Sequence, residues 1–220
     1  RFNPQNPYLI TGSHFRDLFV RNTGIFYNAL LDHRTPSSQE DWHNRQTICY
    51  KTIKYAIETF SKEKNDSTTI SPISKNLYST SNIYARASDS LYAILYGIKM
   101  LTDVSTTISR YPSNSSTLQN KNLIYKTETE KLCEKYKDSL TNLVSCYLSE
   151  IIDIKTNLIR QDILLSSARD GIKRSSSFYD NVIAWSTINL AQQLSIPLKT
   201  KQIPPDTFKK NILNTFWNPN

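Results

Sequence analysis

Apolar residues recur at three- and four-residue spacing in six stretches of the chain, the signature of amphipathic helices. The first runs from about Ser13 to Leu31 and sets Phe15, Leu18, Phe19, Ile25, Phe26, Ala29 and Leu30 on one face. His33-Arg34-Thr35-Pro36 interrupts it, and Ser37-Ser38-Gln39-Glu40 then reads as a capping box. The helix it opens carries the stripe Trp42, Cys49, Ile53, Ala56, Ile57 and Phe60. Two helices joined by so short a break are expected to lie antiparallel. Residues 65–84 are rich in Ser, Thr and Asn, contain Pro72 and show no helical period, so a long connection is expected there.

A third helix is predicted from Ser88, burying Leu91, Ile94, Leu95, Ile98 and Leu101. After a polar stretch, Thr127-Glu128-Thr129-Glu130 reads as a second capping box opening a long helix that keeps its period to Ile154. The pattern lapses around Asp170-Gly171. It resumes from Ser177 to Leu194 with Phe178, Val182, Trp185, Ile188 and Ala191. Pro204-Pro205-Asp206 opens a last short helix bearing Phe208, Ile212, Leu213 and Phe216. Six helices in three successive hairpins predict an all-α single domain over residues 1–220. Such a series suits a curved array, a bundle or an arc of a closed toroid.

Composition narrows the functions this domain can have. The 220 residues include only 4 Gly, and neither GxGxxG nor GxxxxGK[ST] occurs, which excludes a glycine-built phosphate cradle. Sparse glycine also opposes a sandwich of many short strands. Aromatic content of 11%, with 13 Tyr, opposes a disordered chain. The net charge of +8 comes from 27 basic and 19 acidic residues. No basic run exceeds four residues, so a solvated lysine surface is expected and nucleic acid is not the expected partner. Cys49, Cys133 and Cys146 form no CxxC. His14, His33 and His43 lack ligand spacing, so neither metal nor organic cofactor is expected. No apolar run reaches the roughly 20 residues of a membrane span. No secretory leader is legible, and the cytoplasm is the favoured compartment.

Candidate chemistry sits in polar clusters at helix starts. Arg16-Asp17 can hold two neighbouring hydroxyls, the guanidinium donating and the carboxylate accepting. Arg86-Ala87-Ser88-Asp89 places a carboxylate just before the third helix, where a helix N-terminal charge is a commoner explanation than a ligand. Ala168-Arg169-Asp170-Gly171 sets another carboxylate on a loop before the helix at Ser177. No GxSxG elbow is present. Carboxylate chemistry is therefore the simplest enzymatic option. Glycoside hydrolysis, for example, needs one carboxylic acid to protonate the leaving oxygen and a second carboxylate to activate water or attack the sugar.

The stretch Phe19-Val20-Arg21-Asn22 to Leu31, followed by the Ser-capped Trp42 helix, resembles the N-terminal hairpin of six-hairpin glycosidases, a group that includes glucoamylase-like enzymes and neutral invertases. Ser175-Ser176-Ser177-Phe178-Tyr179-Asp180-Asn181 is similar to the Ser-Ser-Phe helix of the glucoamylases. The resemblance implies about half of an (α/α)6 toroid and a carbohydrate substrate. It places Arg21 in a sugar-binding role, with Asn22 where the pattern usually has Asp. The family's Glu-Glu before the Ser-Ser-Phe helix is absent, and Asp170 is the nearest carboxylate to that place. Asp170 is then the expected catalytic acid. Arg16, Asp17, Arg21, Asn22 and Asp89 are the expected sugar-hydroxyl ligands, and Tyr179, Tyr84 or Trp185 would give an apolar platform. A closed toroid needs twelve helices, so the remaining half of the domain is an expected partner. The isolated chain is expected to be inactive and prone to associate. The alternative is a non-catalytic helical module that binds a protein or nucleic acid.

Overall fold

The computed structural model describes residues 8–9, 17–33, 37–74, 77–82, 86–103, 116–166, 173–199 and 204–217. Its helices are α1 (Val20–Asn28, continued by a π-helical turn at Ala29–His33), α2 (Gln39–Glu63), α3 (Ser90–Thr102), α4 (Ser116–Lys135), α5 (Lys137–Ile151), α6 (Phe178–Gln193) and α7 (Pro205–Phe216). Between them lie short strands: β1 (Leu18–Phe19), β2 (Thr69–Ser74), β3 (Leu77–Ser81), β4 (Arg86–Ala87), β5 (Ile152–Asp153), β6 (Leu158–Ile159), β7 (Leu165–Ser166) and β8 (Lys173–Arg174).

The expectation of an all-α half-toroid is therefore corrected: the protein is mostly helical but carries sheet. β1, β2 and β3 form an antiparallel sheet in that order, and β5 pairs antiparallel with β6. β7 lies between β4, to which it runs parallel, and β8, to which it runs antiparallel. The physical reason lies at the helix starts. Chain entering α1 and α3 is buried, as at Leu18 and Ala87, with Ile70 buried opposite Leu18, and buried backbone polar groups must be paired. Ladders of two to six residues pair them without disturbing the helices. The connection expected over 65–84 is thus largely the β2–β3 hairpin, with Ile70 opposite Thr80.

Two helix boundaries also differ from the pattern. Thr127-Glu130 is the interior of α4, which begins at Ser116. Contacts with α2 hold this earlier segment: Tyr125 packs its ring against His43 and Tyr50, and its hydroxyl meets Thr47 Oγ1. The helix expected to run unbroken to Ile154 is interrupted at Tyr136 and its second part, α5, ends at Ile151. Asp153 makes a tight turn there, accepting from Lys155 N at 2.9 Å and from Thr156 Oγ1 at 3.2 Å. Asn157 takes the left-handed conformation that closes the hairpin.

α3 is the centre of the packing, with α1, α2, α4 and α6 against it. Gly24 of α1 faces Ala93 of α3 and Tyr27 faces Gly97, so α1 and α3 run parallel. α2 runs back against α1, with Arg45 donating to Leu30 O. The approach of α3 to α1 and α2 depends on a missing side chain. A Cβ at Gly97 would stand 2.6 Å from Tyr27 Cε2 and 2.8 Å from Ile53 Cδ1, both residues fully buried. Gly97→Ala gains about 1 kcal/mol of helix propensity, yet overpacking of this kind costs about 1–3 kcal/mol. The expected result is net destabilisation, seen as a lower urea midpoint with unchanged slope. A midpoint equal to the wild type would show that Tyr27 moves aside freely.

Candidate functional site

Three helix starts meet at one end of the molecule. The start of α1 is tied to the segment before β2 by Val20 N donating to Thr68 O at 2.9 Å. Two residues earlier, Asp66 Oδ1 accepts from Arg86 Nη2 at 2.8 Å, on the strand that leads into α3. The start of α6 joins them through Tyr179 Oη, which donates to Asp89 Oδ2 at 3.1 Å. α3 and α6 also end together, Ile98 and Thr102 sharing a cavity wall with Gln193 and Leu194, so α1, α3 and α6 all point the same way. Their dipoles bring partial positive charge to this end, which favours carboxylates there.

The polar residues gather around Tyr147 of α5, which is fully buried. Its hydroxyl donates to Ser88 O at 2.6 Å, and the Arg86 guanidinium lies 5.4 Å from its ring centroid. Arg86 also pairs with Glu150, one turn along α5. Burial holds the Tyr147 hydroxyl well above its ordinary pKa, and the charges of Asp66 and Asp89 reinforce this. Asp66, 3% exposed, is likewise raised by burial, with Arg86 opposing the shift. Asp180 is fully buried in the first turn of α6, its carboxylate against the Ser177 hydroxyl. Ser177 is the N-cap of α6 and accepts from Asp180 N at 3.2 Å.

Asp89 occupies the N-cap position of α3 but makes no capping bond with its side chain. The carboxylate turns instead to Tyr179, 90 residues along the chain. A helix-end charge alone does not account for that orientation. Tyr179 keeps its ring 42% exposed while its hydroxyl is anchored on the buried carboxylate. A flat apolar face thus stands fixed beside an acceptor, the pairing that suits a sugar ring with its apolar face and its hydroxyl edge.

Of the other expected ligands, Arg21 is 4% exposed in the first turn of α1, and Asn22 follows it, half-buried. Asp17 precedes β1, and its charge is felt by Tyr8, whose hydroxyl is pushed up to about 12, mainly by burial. Trp185 packs partly against the core with Lys209 over its ring, away from the role of open platform. Arg16, Tyr84 and Asp170 lie outside the described residues. Asp66 and Tyr147 left no functional signal in the sequence, and Arg86 and Asp180 stood there only within the polar runs at the starts of α3 and α6. Arg86 stood in the run before the third helix, but its partners Asp66 and Glu150 lie far from it along the chain, beyond any local signal.

Among the described residues, no group of three His, Cys, Asp or Glu side chains could hold a metal ion, and no helix is long and apolar enough to cross a membrane. No protein-family model, curated protein or solved structure matches the chain.

Proposed function

We propose that the chain is the sugar-binding part of a glycoside hydrolase that works by carboxylate acid–base chemistry. The single observation that carries this reading is the Asp89–Tyr179 pair, a buried carboxylate at the N-cap of α3 bonded to the hydroxyl of a tyrosine that is 42% exposed. In the proposed complex, the Tyr179 ring carries the apolar face of the sugar, and the buried Asp89 carboxylate fixes that ring through the Tyr179 hydroxyl. Arg86 and Asp66 hold the β4 turn that presents Asp89. Asp170 remains the proposed acid that protonates the leaving oxygen. A second carboxylate then activates water.

Binding is the first test, because it does not require a complete catalytic set. The intact chain is titrated calorimetrically with glucose and mannose. Hydrogen bonds to charged groups contribute about 1.5–3 kcal/mol. Asp89→Asn is therefore expected to weaken the bound sugar by about ten- to a hundredfold, and Tyr179→Ala by a comparable factor. Circular dichroism should remain unchanged in both variants. Monosaccharide affinity untouched by either substitution would remove the site. For turnover, in a protein that also supplies the second carboxylate, Asp170→Asn is expected to abolish hydrolysis of a panel of aryl glycosides while leaving sugar affinity intact.

A further inference from the structure

We propose that the face built on α7 and the β5–β6 hairpin docks on an anionic lipid bilayer, lying on its surface without crossing it. This face is separate from the Asp89–Tyr179 pair, and the proposal does not depend on the carbohydrate reading.

α7 packs on the core through Phe208 and Ile212, both buried. At 3.6 residues per turn, Lys210 and Asn214 fall on the opposite side of the helix, and both are exposed. α7 thus carries a polar crest outward, with exposed apolar side chains on either flank. On one flank, Asn211 Nδ2 donates to Thr156 O at 3.0 Å and ties the β5–β6 hairpin to the helix, with Ile154 in the hairpin turn. Ile154 is 78% exposed, more than any other large apolar side chain among the described residues. On the other flank, Leu213 and Trp217 stand one turn apart, and Trp217 N donates to Leu213 O at 3.0 Å. Trp217 is 66% exposed. Phe178, also exposed, joins them at the end of α7, edge-on to Phe216 with ring centroids 5.9 Å apart.

Exposed apolar residues gathered in this way mark an interaction surface. The charge around them selects the partner. Lys155 adjoins Ile154, and Lys209 and Lys210 lie one turn before Leu213. Among the described residues none of these three lysines is ion-paired, whereas Lys54, Lys126, Lys131 and Lys137 each pair with a glutamate on their own stretch of helix. Lys209 lies over the Trp185 ring, 5.9 Å from its centroid. Asp153 spends its carboxylate within its own turn. Asp206, in the first turn of α7, is roughly 16 Å along the helix axis from Trp217.

This composition fits a bilayer interface. Lysine stems lie along apolar surface while their ammonium groups reach phosphate and carboxylate headgroups. Indole rings settle at headgroup level, and isoleucine, leucine and phenylalanine enter the acyl boundary. The apolar side chains project separately on two sides of a polar crest. A rigid protein partner would need a matching recess for each, and a fluid bilayer adapts to all of them.

The test incubates the intact chain with phosphatidylcholine vesicles, alone or with about 30 mol% phosphatidylserine, and reads bound protein by co-sedimentation. A lysine near an anionic surface contributes about fivefold in affinity, so three predict about a hundredfold preference for the phosphatidylserine vesicles. That preference should collapse in about 1 M NaCl, where screening is nearly complete. Lys155→Gln with Lys210→Gln should weaken binding about twenty- to thirtyfold, and Ile154→Ser with Trp217→Ser by about tenfold or more. All four side chains are exposed, so the urea midpoint should stay at the wild-type value in both double variants. Equal binding to neutral and anionic vesicles, no vesicle binding at all, or wild-type binding by either double variant would overturn the assignment. A dimer in sedimentation equilibrium that Trp217→Ser dissolves, with no vesicle binding, would give this face to a second copy of the chain and overturn it as well.

Discussion

Arg86→Ala is expected to lower stability by about 3–5 kcal/mol at pH 7, the usual cost of stripping one partner from a buried ion pair. Asp66 is 3% exposed and faces Arg86 at 2.8 Å, so the substitution leaves a carboxylate in the interior without its guanidinium. The deficit should depend on pH in a definite direction. Burial already raises the Asp66 carboxyl above its ordinary pKa, and the Arg86 charge opposes that rise. Without Arg86 the folded-state value climbs further. A folded-state pKa raised above the unfolded value means that the folded state binds the extra proton, so stability falls as pH rises through the window between the two. The window opens near the unfolded aspartate value of about 3.9 and is wider in the variant. The gap between wild type and Arg86→Ala should therefore be smallest near pH 4 and complete at neutral pH. Urea melts at several pH values measure it. A gap independent of pH would show that Asp66 is not the group left stranded.

The second large effect is expected at Asn181, which is fully buried and uses both ends of its amide. Its Oδ1 accepts from Ile159 N at 2.8 Å, fixing β6, and its Nδ2 donates to Ser177 O at 2.8 Å, closing the first turn of α6. Asn181→Ala leaves the buried Ile159 N–H without its partner, while Ser177 O keeps the bond from the backbone N–H of residue 181 at 3.1 Å. Such a stranded group costs about 1–3 kcal/mol, and a loss of that size is expected. Asn181→Asp keeps an acceptor for Ile159 N, loses the donor, and sets a charge beside Asp180. It should be no milder than the alanine. A chemical-denaturation midpoint within error of the wild type for either variant would mean that water replaces the amide without cost.

What was legible in the sequence follows from how local each signal is. The start of α6 at Ser177 could be read because the cap, the acidic residue three positions on and the apolar stripe all lie within two turns. The start of α2 was legible to within one residue. Ser38 rather than Ser37 is the N-cap, because Asp41, not Glu40, closes the motif by taking the Ser37 N–H and hydroxyl. Strands of two residues have no period to detect, so β4 to β8 left no trace in the pattern. β4, β6 and β7 pair chain that is buried at Ala87, Ile159 and Leu165, a fact of the tertiary fold. Asp89 was visible as a carboxylate at a helix start, but its orientation is set by a tyrosine far along the chain. Asp66 lay in what read as a polar connection, and only the approach of Arg86 across the β2–β3 hairpin gives it a role.

The sequence distances across the site also set an order of events for a nascent chain. Val20 meets Thr68 and Asp66 meets Arg86 within the first part of synthesis, so the β1–β2–β3 sheet and the α1–α3 pair can close early. Asp89 has to wait for Tyr179, 90 residues later. At translation rates of about 5–20 residues per second, that stretch takes roughly 5–18 s to emerge. During those seconds the start of α3 is formed but uncovered, its carboxylate facing water and the groove that α6 will fill lying open. The interval makes the α6 face of α3 the surface on which a folding helper, or a wrong neighbour, has the longest opportunity to bind.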